Sequence, residues 1–215
     1  MKKLLYVLLT SFILVGCVTG SHYYQPPLPV TELDNSIIID KNKEELWKQI
    51  IPSLASTFFV INNIDKSSGL INISYNGNPE KYIDCGRLHF EINTPGKQIF
   101  DFPGASAYQR YMVSPGPGQL FHMERKLDLE GRINIVVQEI ASNRTKLIIN
   151  TRYIVKKKNH ISNVNGQLIQ ILEDSISFNS GQREKFGHGV ETTCTPNGEL
   201  EKQIISILTG LQKQQ

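Results

Sequence analysis

Cys194 and His188 are the residues whose types could perform nucleophilic catalysis, with a thiolate activated by a nearby base. The chain has no nucleophile motif of the GxSxG type, and His188 stands between two glycines in a predicted loop. Glu124, Asp128 and Glu130 alternate along a predicted strand, where they could act as paired carboxylates or form its solvated face. We interpret Cys194 as half of a disulfide and the carboxylates as solvent-facing, and we predict that the chain is not an enzyme.

Two further motifs have simpler interpretations than ligand binding. Pro115-Gly116-Pro117-Gly118 lacks the GxxxxGK[ST] pattern of a phosphate loop, and its prolines remove N–H donors, so we predict a rigid loop. Lys156-Lys157-Lys158 could contact anionic lipid, but we favour an exposed edge strand protected by lysine. His89, His122 and His160 stand singly, which favours no metal site and no cofactor.

Residues 1–16 have the composition of an export leader. Lys2 and Lys3 are followed by an almost wholly apolar run from Leu4 to Val15, which is short for a transmembrane helix. These two lysines account for two of the three net positive charges of the chain, which leaves a net charge of +1 for the remainder. The charge therefore gives no argument for binding nucleic acid.

The segment Leu14-Val15-Gly16-Cys17 resembles the lipobox of bacterial lipoproteins, in which a small residue precedes the cysteine. This resemblance implies cleavage after Gly16, a diacylglyceryl thioether on Cys17 and an added acyl chain such as palmitate. Val18 follows in place of the aspartate that favours inner-membrane retention. We therefore expect an outer-membrane lipoprotein facing the periplasm, with the inner membrane, an ordinary secretory leader or an uncleaved anchor as alternatives.

Cys85 and Cys194 form an even pair once Cys17 is assigned to lipid. Disulfides persist in an oxidising compartment, so we predict one disulfide between them. Two separate thiols or a metal pair are the alternatives, although no CxxC motif is present to favour metal.

The rest of the chain divides into a tether and a folded part. Residues 17–34 are small, polar and proline-bearing, which predicts a flexible lipidated tether, and residues 35–215 are expected to form one α+β domain. Asn42 and Glu45 predict the start of a helix over residues 43–56 that carries Trp47 on its apolar face and is kinked or ended early by Pro52. Thr195 or Asn197 would cap a second helix with an apolar stripe over residues 200–211. Between the helices, the apolar and alternating patterns predict strands over residues 58–64, 70–75, 82–92, 107–113, 121–129, 132–140, 145–156 and 168–177.

A strand at Ser36–Asp40, a helix, a run of antiparallel strands and a final helix suggest an α+β, helix-grip-like fold, with both helices packed on one sheet. Glu45-Leu46-Trp47, Phe59-Val60-Ile61 and the turn from Asp65 to Gly69 also resemble the BamC lipoproteins of the β-barrel assembly machine. The resemblance covers about residues 36–76. The wider pattern resembles uncharacterised bacterial lipoproteins.

Together these features predict a non-enzymatic, membrane-anchored lipoprotein that acts as an interaction or envelope-assembly subunit with a protein partner. The alternative is a module that binds a lipid or another apolar small ligand in a cavity between the sheet and the final helix.

The lipid anchor can be tested with Cys17→Ser. This substitution removes the sulfur that would carry the thioether, so the protein should lose its lipid mass and become soluble or accumulate as precursor. Mass spectrometry and membrane fractionation measure both effects, with Cys85→Ser as the control that retains the anchor. Unchanged fractionation of Cys17→Ser would exclude this anchor.

Overall fold

The computed structural model describes residues 18–28, 34–94 and 96–210. The predicted leader, Cys17 and the end of the predicted final helix at Leu211 lie outside these residues. Of the described residues, 57% are in strands and 14% are in helices. The strands are β1 (Thr19–Gln25), β2 (Ser36–Ile39), β3 (Val60–Asp65), β4 (Leu70–Gly77), β5 (Ile83–Asp84), β6 (Arg87–Asn93), β7 (Lys97–Pro103), β8 (Tyr108–Val113), β9 (Phe121–Ala141), β10 (Arg144–Asn163), β11 (Leu168–Asn179), β12 (Glu184–Lys185) and β13 (Thr193–Pro196). The helices are α1 (Lys43–Ala55) and α2 (Glu199–Thr209), with a short 3-10 helix at Pro79–Lys81.

The strands form three antiparallel sheets. The largest has seven strands in the order β11-β10-β9-β4-β3, with β2 paired to β10 and β8 paired to β9. A second sheet has the order β1-β6-β7, and a small third sheet has the order β12-β13-β5.

The β9–β10 hairpin is the longest feature of the fold. The two strands have 21 and 20 residues and pair from Ala141 with Arg144 to Phe121 with Asn163. The sequence pattern predicts two separate strands, residues 121–129 and 132–140, in place of β9, but Gly131 lies within the ladder opposite Tyr153. A Cβ atom at position 131 would lie 3.2 Å from Leu200 of α2, so this glycine allows the helix to approach the sheet.

The main core lies between one half of this hairpin and the two helices. Leu46, Trp47 and Ile50 of α1 and Ile204 of α2 pack in one cluster with inward-facing sheet residues such as Ile135. A buried hydrogen bond fastens α2 to β10, because the hydroxyl of Tyr153 donates to the Glu201 carboxylate at 2.8 Å. The tryptophan predicted as a core residue is therefore buried, with 7% of its surface exposed.

The predicted start of α1 agrees with the structure, since Asn42 is its N-cap and Asn42 Oδ1 accepts a hydrogen bond from the Glu45 amide at 2.8 Å. Pro52 does not end α1, which continues to Ala55. A proline is tolerated in this last turn because few hydrogen bonds follow it.

The predicted cap of α2 is wrong, because the N-cap is Gly198 and neither Thr195 nor Asn197. Asn197 lies one residue earlier, and its Oδ1 accepts a hydrogen bond from the Glu199 amide at 3.0 Å.

The prediction of a helix-grip-like α+β fold is wrong. The chain is mostly β, with three antiparallel sheets and two short helices, and it is not one sheet packed against two helices. The error has two sources: the sequence pattern misses β7, β12 and β13, and it does not show that β1, β6 and β7 leave the main sheet to form their own. Pairing partners are set by contacts between distant strands, which alternation along one strand does not encode.

The predicted flexible tether is also wrong for residues 19–25. These residues form β1, which pairs with the whole of β6 from Thr19 opposite Asn93 to Gln25 opposite Arg87. Among the described tether residues after β1, those without strand structure are Pro26, Pro27, Leu28 and Asp34. A mostly polar segment can still complete a sheet because the ladder uses backbone groups.

The predicted disulfide between Cys85 and Cys194 is present, and both cysteines are fully buried. Cys85 follows β5, and Cys194 lies in β13, which leads directly into α2. The bond therefore ties the small third sheet to the main core, whose cluster includes both cysteines, and joins residues with a sequence separation of 109.

Replacing both cysteines with alanine should lower the free energy of unfolding by about 2–4 kcal/mol, because the unfolded chain regains the entropy of a long loop. Urea denaturation followed by circular dichroism measures this change. Addition of reductant should lower the stability of the unsubstituted protein and leave the double variant unaffected. Equal stability of the two proteins without reductant would contradict the structural role of the bond.

Candidate ligand-binding cavity

A cavity of about 400 Å³ lies between the sheet β1-β6-β7 and the end of the main sheet that carries β8, β9, β10 and β11. It lies away from the main core, and no residue of α2 lines it. The alternative interpretation of the sequence expects a cavity between the sheet and the final helix. The cavity in the structure lies elsewhere, at a junction between two sheets. Its lining residues are Gly20, Ser21, His22, Phe90, Ile92, Tyr111, Val113, Ser114, Pro115, Phe121, Met123, Asn159, Ile161, Ile169, Gln170, Leu172, Gly189 and Val190.

Strand alternation produces the apolar walls. Met123 of β9 and Ile161 of β10 are direct cross-strand partners, so they share one face and point to the same side of the sheet. Phe90 and Ile92 approach from β6 on the opposite wall. Most of the surrounding side chains are apolar, as in typical small-molecule sites.

A second apolar cluster, distinct from the main core, supports the inner side of this cavity. It consists of Leu88, Phe90, Phe102 and Tyr111, all of which are buried. The rings of Phe90 and Tyr111 stack with their centroids 4.5 Å apart, which joins the sheet β1-β6-β7 to β8 of the main sheet. This contact fixes the distance between the two walls.

The inward face becomes polar at the deep side of the cavity. We call Arg125, Lys157 and Asn159 the polar end; their exposed fractions are 2%, 3% and 5%. Arg125 and Asn159 are cross-strand partners, and Lys157 lies two residues before Asn159 on the same face of β10. Asn159 lines the cavity directly, whereas Arg125 lies next to two lining residues, Asn159 across the ladder and Met123 along β9.

Hydrogen bonding at the polar end is incomplete. Arg125 Nη2 donates to the Gly104 carbonyl at 2.6 Å, and Lys157 Nζ donates to the His188 carbonyl at 2.7 Å. Arg125 Nη1 and Asn159 Oδ1 are buried and have no hydrogen-bond partner. Unpartnered buried polar atoms are rare in folded proteins and mark places where a further group can bind.

The two buried cations influence one another's environment. Burial lowers the pKa of Arg125 to about 10, opposed by the nearby Tyr111. Burial, followed by the charge of Arg125, lowers the pKa of Lys157 to about 8, and Asp174 opposes this shift. Both side chains are nevertheless cationic at neutral pH, and neither forms an ion pair with a described carboxylate within 4.0 Å.

The segment from Gly187 to Val190 covers one side of the polar end. Asp174 Oδ2 accepts hydrogen bonds from the amides of Gly187 and His188 at 2.9 and 3.1 Å. Lys157 Nζ lies 4.1 Å from the centroid of the Phe186 ring, a cation–π contact that partly replaces lost hydration. These contacts hold Val190 against the cavity.

The residues that the sequence offered for catalysis are not brought together as a site. The sulfur of Cys194 is in the disulfide, so it is not a thiol, and His188 contributes its backbone carbonyl to Lys157. Glu124 and Glu130 lie on the outward face of β9, where Glu130 pairs with Arg132 at 2.6 Å. Among the described residues, no group of three or more His, Cys, Asp or Glu side chains could hold a metal ion.

The proline-glycine loop and the lysine run have different positions in the cavity region. Pro115 lines the cavity, and the Gly118 amide donates to the Val18 carbonyl at 3.0 Å.

The prediction that Lys156-Lys157-Lys158 lies on an exposed edge strand is wrong, because β10 is paired on both sides by β9 and β11. Lys158 faces outward and pairs with Glu173, whereas Lys157 faces inward.

The sequence analysis misses Arg125 and Asn159 as candidate site residues. A usable signal was present, because Arg125 continues the alternation of Leu127 and Leu129, and Asn159 continues that of Tyr153 and Val155. Charged side chains are seldom found at positions of a strand that face the core, so a charged residue at such a position is a candidate for a functional role.

Comparison of the chain with protein-family models, curated proteins and solved structures gave no match. The resemblances to the lipobox and to BamC lipoproteins thus stay predictions from sequence. None of the helices in the described part of the chain is long and apolar enough to cross a membrane.

Lys157 should make stability depend on pH. Below about pH 8, Lys157 is protonated in both the folded and the unfolded protein, so the free-energy cost of burying its charge is fully present. Between about pH 8 and its ordinary pKa of 10.5, the folded state has released the proton and the unfolded state retains it. The free energy of unfolding should therefore rise across this interval, by at most about 1.4 kcal/mol per pH unit.

Urea denaturation at about pH 7 and about pH 9.5 tests this effect. Lys157→Met should abolish the rise, whereas Lys158→Met, a change at the exposed neighbour, should retain it. The same pH dependence in both variants would show that Lys157 is not the titrating group.

Proposed function

We propose that this chain is a lipid-anchored protein of the bacterial cell envelope that binds an apolar small molecule or lipid in the cavity between its two larger sheets. The main support for this proposal is the size and the lining of the cavity. A volume of about 400 Å³ lies within the range of small-ligand sites, and its walls are mostly apolar side chains.

The position of β1 supports a link between cavity and membrane. Gly20, Ser21 and His22 of β1 line the cavity, and the Val18 carbonyl accepts from Gly118 in the loop at residues 114–120. A lipid on Cys17 would begin one residue before Val18, so it would bring this part of the molecule close to a bilayer. The cavity would then be supplied from the membrane to which the protein is attached.

The same end of the molecule has the composition of a membrane-contacting surface. The β10–β11 tip, residues 163–168, lies next to the loop at residues 114–120 because Asn163 pairs with Phe121. Residues 111–121 and 161–172 contain no Asp, Glu, Lys or Arg. Val164, Leu168 and Ile169 are each more than half exposed there. Exposed apolar side chains without charged neighbours are typical of a surface that contacts lipid.

The interaction or envelope-assembly subunit stays a second candidate. Phe58, Val60 and Ile64 are each exposed at or next to β3, the edge strand of the main sheet, outside the cavity. A protein partner would bind there without a ligand. Affinity purification from gently solubilised membranes should recover a stoichiometric partner under this function, and its absence would count against it.

The cavity can be blocked to test the leading proposal. Ile161→Trp places a large ring in the cavity, and Ile154→Trp makes the same change on the opposite face of β10 as a matched control. Both substitutions are made in the chain carrying Cys17→Ser behind a secretory leader, so that detergent is not needed. The apolar fluorophore N-phenylnaphthylamine serves as the ligand probe.

Ile161→Trp should weaken binding of the probe about tenfold or more, because its volume competes for the site, whereas Ile154→Trp should leave the affinity unchanged. Fluorescence titration measures both affinities. Equal affinities in all three proteins would place the probe elsewhere, and absence of binding to the parent chain would contradict the proposed function.

A further inference from the structure

The polar end gives the cavity two chemically different ends. The side near Phe121 and Ile161 is apolar, and the side near Asn159 leads to Arg125. A ligand that is apolar throughout would leave Asn159, a polar lining residue with an unpartnered Oδ1, without a polar contact. An amphiphile with a polar head group would satisfy both ends, provided that its head points inward.

Arg125 selects the charge of that head group. Its side chain is 2% exposed, one of its terminal nitrogens donates to Gly104, and the other has no partner. Lys157 adds a second positive charge on the same inward face. Asp174 is the one described carboxylate that acts on Lys157, and it is not within ion-pair distance, so two buried cations face one carboxylate. The polar end therefore keeps net positive charge and favours an anion.

Tyr111 and Asn159 are suited to complete the site. Tyr111 lines the cavity near Arg125, and burial raises the pKa of its phenol, so the hydroxyl stays protonated and can donate. The Asn159 amide lines the cavity with an unpartnered Oδ1, and a flip of the amide exchanges this acceptor for its N–H donor. These few donors match the two oxygens of a carboxylate more closely than the larger, more highly charged phosphate.

We infer that the ligand is an alkyl chain with a carboxylate head, held with its carboxylate at Tyr111 and Asn159 and its chain extending toward Phe121 and Ile161. This inference rests on the proposed function, because it assigns the head group of a ligand in the same cavity. Arg125 lies behind Asn159 and does not line the cavity, so it determines specificity through its buried positive charge.

The experiment compares three ligands of equal chain length: dodecanoate, dodecanol and dodecylammonium. Each displaces N-phenylnaphthylamine from the chain carrying Cys17→Ser, at neutral pH and below the concentration at which the ligand forms micelles. Dodecanoate should bind about tenfold or more tightly than dodecanol, because the buried positive charge of Arg125 next to Asn159 attracts the carboxylate and is only weakly screened there. Dodecylammonium should bind more weakly than dodecanol, because both buried cations repel it.

Arg125→Met replaces the guanidinium with an apolar chain of similar length. It should abolish the preference, so that dodecanoate and dodecanol bind with about equal affinity, and it should leave the affinity for dodecanol unchanged. Arg132→Met makes the same substitution on the outward face of β9 and should retain the preference. If Arg125→Met does not fold, the three ligands on the parent chain still decide the question.

The outcomes separate the two proposals. Equal binding of all three ligands would overturn the carboxylate inference and leave the apolar cavity intact. Persistence of the dodecanoate preference in folded Arg125→Met would overturn the assignment to Arg125. Failure of the parent chain to bind the probe and all three ligands would overturn both proposals.

Discussion

One constraint organises the molecule: the β9–β10 hairpin must bury a single face along nearly its whole length. Side chains alternate with a period of two, so every second residue from Met123 to Val137 is directed inward. The hairpin is too long for one core to cover. Helices α1 and α2 therefore cover one half, and the sheet β1-β6-β7 covers the other.

The two halves differ in how completely they are filled. The helical half is packed with side chains and is secured by the Cys85–Cys194 bond and by Tyr153 bonded to Glu201. The other half leaves the cavity, because two twisted sheets meet there at the cluster in which Phe90 and Phe102 pack on Tyr111 and diverge beside it. The polar end lies where these halves join. Ligand binding at that junction would stabilise the association of the two sheets by mass action.

Local features of this fold could be predicted, whereas its assembly could not. Asn42 caps α1, Trp47 is buried and the two cysteines pair, because each depends on nearby sequence or on chemistry with few alternatives. The helix-grip interpretation fails because β1 and β7 use backbone ladders that leave little trace in side-chain pattern. Arg125 was detectable in principle from its phase on β9, but its role requires knowing that β10 places Asn159 opposite.

The central claim is that the space between the two sheets, and not the main core, receives an apolar ligand. Nuclear magnetic resonance spectra of isoleucine methyl groups, recorded during titration with dodecanol, test it most directly. If dodecanol binds between the two sheets, the methyl signals of Ile92 and Ile161, which line the cavity, should shift, and those of Ile50 and Ile204, which are buried in the main core, should not. Shifts confined to Ile50 and Ile204, or no shifts at saturating dodecanol, would contradict it.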